Sequence, residues 1–76
     1  MQTERILDLS GLNCPLPILR AKKALADMES GAVLRVIATD PGAPGDFAAF
    51  CRQTGNVLLE SGTTDEGKFK LVLQRK

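Results

Sequence analysis

The sequence predicts a two-layer α/β (α+β) sandwich in the order β-α-β-α-β-β, with a mixed four-stranded sheet and two helices on one face. Three observations carry this. Segments with strand patterning alternate with two segments whose apolar residues recur three and four apart. The last two strand segments flank a short polar loop bounded by glycines, which reads as a hairpin. The chain has 76 residues, which allows one domain over residues 1–76 and a small core. Right-handed crossovers put both helices on the same face, provided that they link neighbouring parallel strands.

Arg5 to Leu9 reads as the first strand, with Leu7 and Leu9 on one side and Asp8 on the other. Ser10-Gly11-Leu12-Asn13 is a turn. The first helix is predicted from about Pro15 to Met28, on a stripe of Ile18, Ala21, Leu25 and Met28 that Leu19 and Ala24 broaden. Gly31 supplies the left-handed residue that helix ends favour. Ala32 to Thr39, nearly continuous in apolar character apart from Arg35, reads as a strand in mid-sheet. Asp40-Pro41-Gly42 breaks the chain, and Pro44 and Asp46 suit the start of a second helix. That helix buries Phe47, Phe50, Cys51 and Thr54 and closes at Gly55. Val57 to Ser61 is the third strand and 62–67 the hairpin loop. Lys68 to Gln74 is the fourth strand, with Phe69, Leu71 and Leu73 inward and Lys68 and Lys70 outward.

Composition excludes several function classes. Ten Lys and Arg oppose nine Asp and Glu, a net charge of +1, so bulk charge gives no support to nucleic-acid binding. Histidine is absent, which removes the usual general base and the commonest metal ligand. Trp and Tyr are absent too and Phe occurs three times, so the core must be aliphatic. No stretch approaches the ~18 apolar residues of a membrane span, and Met1 to Asp8 lacks the basic start and apolar run of a secretory leader. The two cysteines, Cys14 and Cys51, are too far apart for a CxxC motif. A cytoplasmic protein with reduced thiols, no bound metal and no membrane association is the expectation.

Cys14-Pro15-Leu16-Pro17 is the segment that carries chemistry. Read from the sequence, Cys14 is the N-cap of the first helix and Pro15 its first helical residue, where the fixed φ fits and the missing N–H costs nothing. The prolines leave the Leu16 N–H as the main free donor of that turn, and the Cys14 sulfur is expected to accept from it. A helix N-terminus carries about half a positive charge, which stabilises an anion there and lowers the pKa of a thiol. Thiolate is the nucleophile of sulfur exchange, so position supplies what histidine does elsewhere. Cys51 lies on the apolar stripe of the second helix and reads as core, its functional alternative being a resolving thiol. Arg20, Lys22 and Lys23 read either as a solvated face balanced by Asp27 and Glu29 or as a patch that steers an acidic partner toward Cys14. Asp40 and Pro41 read as a helix approach or as a partner-contact loop.

The run from Leu7 through Gly11-Leu12-Asn13 to Cys14-Pro15-Leu16-Pro17 resembles the opening of the TusA (SirA-like) sulfur-carrier family, whose hallmark is CPxP after a short strand and a Gly-Leu-x turn. Thr39-Asp40-Pro41, Asp46-Phe47 and Phe50-Cys51 resemble its middle section. The resemblance implies a fold like the C-terminal domain of translation initiation factor 3. It implies that Cys14 carries a persulfide, in a site shaped by Pro15 and Pro17, with Leu16 standing where some members have Glu. It further implies a cysteine desulfurase or a rhodanese as sulfur donor. The acceptor protein it implies serves tRNA thiolation, molybdenum-cofactor assembly or sulfur oxidation. No cofactor beyond the carried sulfur is called for, whether or not such a sulfurtransferase-type carrier is counted as an enzyme. A monomer is expected, because the sulfur must stay bare. Two other classes compete. One is a non-catalytic regulatory or protein-interaction module, with a redox sensor as its variant. The other is an RNA-binding domain, which rests on fold analogy and lacks stacking aromatics.

Overall fold

The first strand, β1 (Glu4–Leu9), alternates exposed Glu4, Ile6 and Asp8 with half-buried Arg5 and Leu7 and buried Leu9. This period of two sets one row of side chains on the core and the other on the open face. The molecule is represented by a computed structural model that describes residues 4–76. The first three residues of the stretch read for a leader, and of the span 1–76 read as one domain, lie outside the described residues. The remaining elements are α1 (Leu16–Ala26), β2 (Val33–Ala38), α2 (Ala43–Thr54), β3 (Val57–Thr63) and β4 (Phe69–Gln74). They form one mixed sheet in the order β1-β2-β4-β3, with both helices packed into a single core on one face.

β1 and β2 pair in parallel from Glu4 opposite Val33 to Leu9 opposite Ala38. β4 pairs antiparallel with β2 on one side and with β3 on the other. β2 and β3 therefore run in the same direction but are not neighbours, because the final strand lies between them. The second crossover spans that strand, whereas the sequence reading took crossovers to link adjacent strands. Both helices still share a face because their apolar stripes meet one continuous layer. Leu34, Val36 and Ala38 of β2 and Leu71 and Leu73 of β4 form its floor, under Ala21 and Leu25 of α1 and Phe47 of α2, all buried.

Several boundaries differ from the sequence reading. α1 stops at Ala26 rather than Met28. Its last turn tightens, with the Asp27 and Met28 N–H groups donating to Ala24 O and Leu25 O, each at 3.1 Å. Met28 still folds into the core. Gly31 has φ +87° but does not close the helix. It turns the chain into β2, where its N–H donates to Arg75 O at 2.9 Å. Leu19 is 53% exposed and does not broaden the stripe. At about 100° per residue it falls opposite Ala21 and Leu25, on the side of Leu16, which is 43% exposed. β2 is one residue shorter at each end than read. β3 runs on to Thr63, and Lys68 belongs to the loop before β4. A bulge at Leu59 places Leu58 opposite Leu73 and Glu60 opposite Val72. The extra residue sends Leu59 outward, 51% exposed.

The open sheet face is covered by its own side chains. Arg35 of β2 pairs with Glu4 of β1, and Lys70 of β4 pairs with Glu60 of β3 at 2.8 Å. Val72 sits in this layer and is buried. Gly55 ends α2 in the left-handed conformation, φ +83°, as read. A Cβ there would also meet the Lys76 side chain at 3.0 Å.

Phe47 is fully buried at the centre of the core. We expect Phe47→Ala to destabilise the fold by about 3–5 kcal/mol, whereas Ile6→Thr, at a residue 71% exposed, should change it by less than about 0.5 kcal/mol. Urea unfolding followed by circular dichroism measures both. Comparable losses from the two variants would contradict this placement of the core.

Candidate functional site

The parallel pairing of β1 and β2 brings their carboxyl ends side by side, at Leu9 and Ala38. The loop from β1 into α1 and the loop from β2 into α2 therefore lie together at one end of the sheet, where side chains from two separate segments converge. A hydrogen bond ties the two loops, the Gly11 N–H donating to Thr39 Oγ1 at 2.8 Å. Gly11 has φ +84°, which permits the reversal after β1. Asp8 closes the same turn by accepting from the Ser10 N–H at 3.0 Å and the Ser10 hydroxyl at 2.6 Å.

Cys14 lies in this loop and is exposed. The N-cap of α1 is Pro15, not Cys14, and the first helical residue is Leu16, with Pro17 next and buried. The shift by one residue comes from a tight turn that closes over the cysteine. The Leu16 N–H donates to Asn13 O at 2.9 Å, so the donor expected for the Cys14 sulfur is already engaged. The peptide between Cys14 and Pro15 is cis. Pro15 O accepts from the Leu19 N–H at 3.2 Å, which begins the helical ladder. Cys14 thus stands just outside the helix, on a turn closed by the bond from Leu16 to Asn13.

The electrostatics at the sulfur reverse the expectation of a lowered pKa. The Cys14 thiol is held above its ordinary value, first by loss of hydration beside the protein surface. The negative charge of Asp46 adds to this, and the charge of Asp40 acts in the same direction. Asp46 is on the first turn of α2 and Asp40 in the loop before it. Their Oδ2 atoms each lie 3.4 Å from the point where a Cβ on Gly42 would sit, so the two carboxylates flank one backbone position. The sequence reading used Asp46 only to complement the dipole of α2. The parallel strand order was the signal for its second role, because it folds the start of α2 back beside Cys14.

The other candidate residues separate. Leu16 and Leu19 form an exposed apolar pair next to the cysteine turn. Arg20 and Lys23 line a hollow of about 210 Å³ on the β1 side of α1, with Arg5 and Asp27. Lys22 lines a different hollow of about 390 Å³ at the far ends of the helices, with Phe50, Asn56, Arg75 and Lys76. The three cations are thus divided between two hollows, neither of which Cys14 lines, and the charges that act on its thiol are those of Asp46 and Asp40. Pro41 is exposed between Asp40 and Gly42. Cys51 is buried, burial raises its pKa, and both thiols are free. Among the described residues, no three acidic or cysteine side chains converge in the manner of a metal centre. No described helix is long and apolar enough to cross a membrane.

Comparisons with known proteins concern the chain as a whole. Residues 5–75 match the family described as sulfurtransferase TusA, and the chain belongs to that family. A protein of Neisseria meningitidis serogroup A is 69% identical over 70 residues, covering 92% of this chain and 93% of that protein. The sulfur carrier protein TusA of Allochromatium vinosum is 62% identical over 69 residues, covering 91% of this chain and 90% of its own length. The crystal structure of a SirA-like protein from Desulfitobacterium hafniense superposes with a TM-score of 0.83 at 28% identity, covering 92% of this chain and 95% of that one.

Removing the Asp46 charge relieves part of what holds the Cys14 thiol up. In a Cys51→Ala background with one thiol, the rate of Cys14 alkylation by neutral iodoacetamide should rise with pH to a plateau. Its midpoint lies above that of a simple thiol and moves to lower pH in Asp46→Asn. A midpoint that stays put or moves upward would contradict the electrostatic role of Asp46.

Proposed function

We propose that this protein carries sulfane sulfur on Cys14 as a persulfide, accepting it from a donor protein and passing it to an acceptor protein. The observation that supports the reading is that the CPxP cysteine is the exposed thiol, on a turn closed by the Leu16-to-Asn13 bond in a loop tied to its neighbour through Thr39 Oγ1, while the second cysteine is buried. The name of the Allochromatium relative, sulfur carrier protein TusA, supports it.

The chemistry needs only the sulfur and access to it. Cys14 as thiolate attacks the outer sulfur of a donor persulfide. The new S–S bond forms as the donor's S–S bond breaks, and the donor cysteine leaves as a thiolate that takes up a proton. Cys14 then holds the outer sulfur, and an acceptor thiolate removes it by the same exchange. No net oxidation occurs in either step, and no metal or organic cofactor takes part. Pro15 and Pro17 restrict the backbone on both sides of Leu16, which keeps the sulfur in one direction. Leu16 presents an apolar surface beside it, available to both partners. A cysteine desulfurase or a rhodanese is the donor in this reading. The acceptor belongs to tRNA thiolation, molybdenum-cofactor assembly or sulfur oxidation. The protein works in the cytoplasm and as a monomer, since a self-association over the cysteine turn would shield the carried atom.

Intact-protein mass spectrometry tests this on wild type, Cys14→Ser and Cys51→Ala after incubation with a cysteine desulfurase and cysteine, or with a rhodanese and thiosulfate. Wild type and Cys51→Ala should gain the mass of one sulfur atom, removable by reductant, and Cys14→Ser should gain none. Loading of Cys14→Ser, or no loading of wild type from either donor, would overturn the proposal and favour an interaction module.

A further inference from the structure

We propose that Asp40 and Asp46 select what reaches Cys14. They repel anionic small-molecule sulfur compounds and favour a protein segment that brings a lysine or arginine alongside its own reactive cysteine. This inference rests on the carrier reading of Cys14 and adds the chemical class of the partner that loads or unloads it.

The geometry supports it from both sides of the site. The two carboxylates converge on Gly42 from the loop and from the first turn of α2, and both act on the Cys14 sulfur. Neither forms an ion pair with a side chain among the described residues, where the pairs are Glu4 with Arg35 and Glu60 with Lys70. Asp8, the other acid at this end of the sheet, is committed to Ser10. The lysines and arginine of α1 line hollows elsewhere. The charges that act on the sulfur are those of Asp46 and Asp40, while Lys68, just before β4 at the same end of the sheet, acts on Asp8. Leu16 and Leu19 are exposed on the first turn of α1, which follows the cysteine turn. A partner that places a cation against the carboxylates and an apolar side chain against the leucines satisfies the whole surface. A small anion meets only the repulsion. The same cation also cancels the charge that disfavours the thiolate, so the nucleophile forms where the correct partner is docked.

The sign of this field can be read without any donor protein, from the exchange of Cys14 with three small disulfides in a Cys51→Ala background. Cystamine is cationic, dithiodipropionate is anionic and hydroxyethyl disulfide is neutral. In each case the Cys14 thiolate attacks one sulfur, a mixed disulfide forms as the reagent's S–S bond breaks, and the other half leaves as a thiolate that takes up a proton from water. Dividing by the neutral rate cancels changes in thiolate fraction and in general accessibility. At low ionic strength the cationic reagent should react at least roughly tenfold faster than the anionic one, as charge contacts worth about 1 kcal/mol each in water would give. The ratio should fall toward one in Asp40→Asn/Asp46→Asn and in about 1 M salt, where screening acts within about 3 Å. Asp46→Glu, which keeps the charge, should retain most of it. A ratio near one in wild type, or one unchanged in the double variant, would overturn the proposal. Either outcome leaves sulfur loading of Cys14, read by mass spectrometry, to stand or fall separately.

Discussion

The parallel pairing of β1 with β2 is the constraint on which the rest of this structure depends. Parallel neighbours require a crossover, and the crossover is α1. Their common direction sends both following loops to the same end of the sheet, so residues far apart in sequence, Cys14 and Asp46, become neighbours. Had β1 run the other way, the cysteine turn and the start of α2 would lie at opposite ends. The bond from Gly11 to Thr39 Oγ1 then fixes the two loops to each other. The core beneath, with Phe47 and Leu34 fully buried, holds the strands that set this arrangement.

The site combines two opposing influences on a thiol. The start of a helix favours an anion nearby, yet Cys14 stands one residue outside the N-cap, and the Leu16 N–H is occupied by Asn13. Loss of hydration first, and then the charges of Asp46 and Asp40, hold the thiol up rather than down. A carrier gains from this. A permanently ionised and exposed cysteine would exchange with any small disulfide it met, whereas a thiol that ionises on docking reacts where its sulfur is wanted.

Much of the architecture was legible in the sequence because it rests on short-range pattern. The period of two in β1 and β4, the apolar stripe of α2 and its glycine stop, and the hairpin all follow from neighbouring residues. The family resemblance was legible in CPxP and its preceding turn. What was not legible depends on distance. The place of β4 between β2 and β3 is decided by which strand best covers the floor of the core, and no local signal records that. The exposure of Leu19 was in principle readable from its angle about α1, but an apolar residue beside an apolar stripe invites inclusion. The N-cap misassignment came from one residue of turn geometry at Asn13 and Leu16, and the sign of the Cys14 shift followed from lost hydration together with charges on another segment. Both belong to the site, where local rules and tertiary demands diverge most.

The central position of β4 bears on how the chain acquires its shape. β1 with β2 forms one partial sheet, while β3 has no partner except β4. Until the last strand arrives, the two halves share no ladder, and the floor of the core is open between them. A chain emerging in order cannot complete its sheet by adding strands at an edge. It must insert the final one into a gap held open by its predecessors, or dock a preformed hairpin against β2. Assembly is therefore late and concerted, dominated by contacts of long sequence separation. The cysteine turn has its carboxylate neighbours only where α2 is packed against the floor that β2 and β4 share.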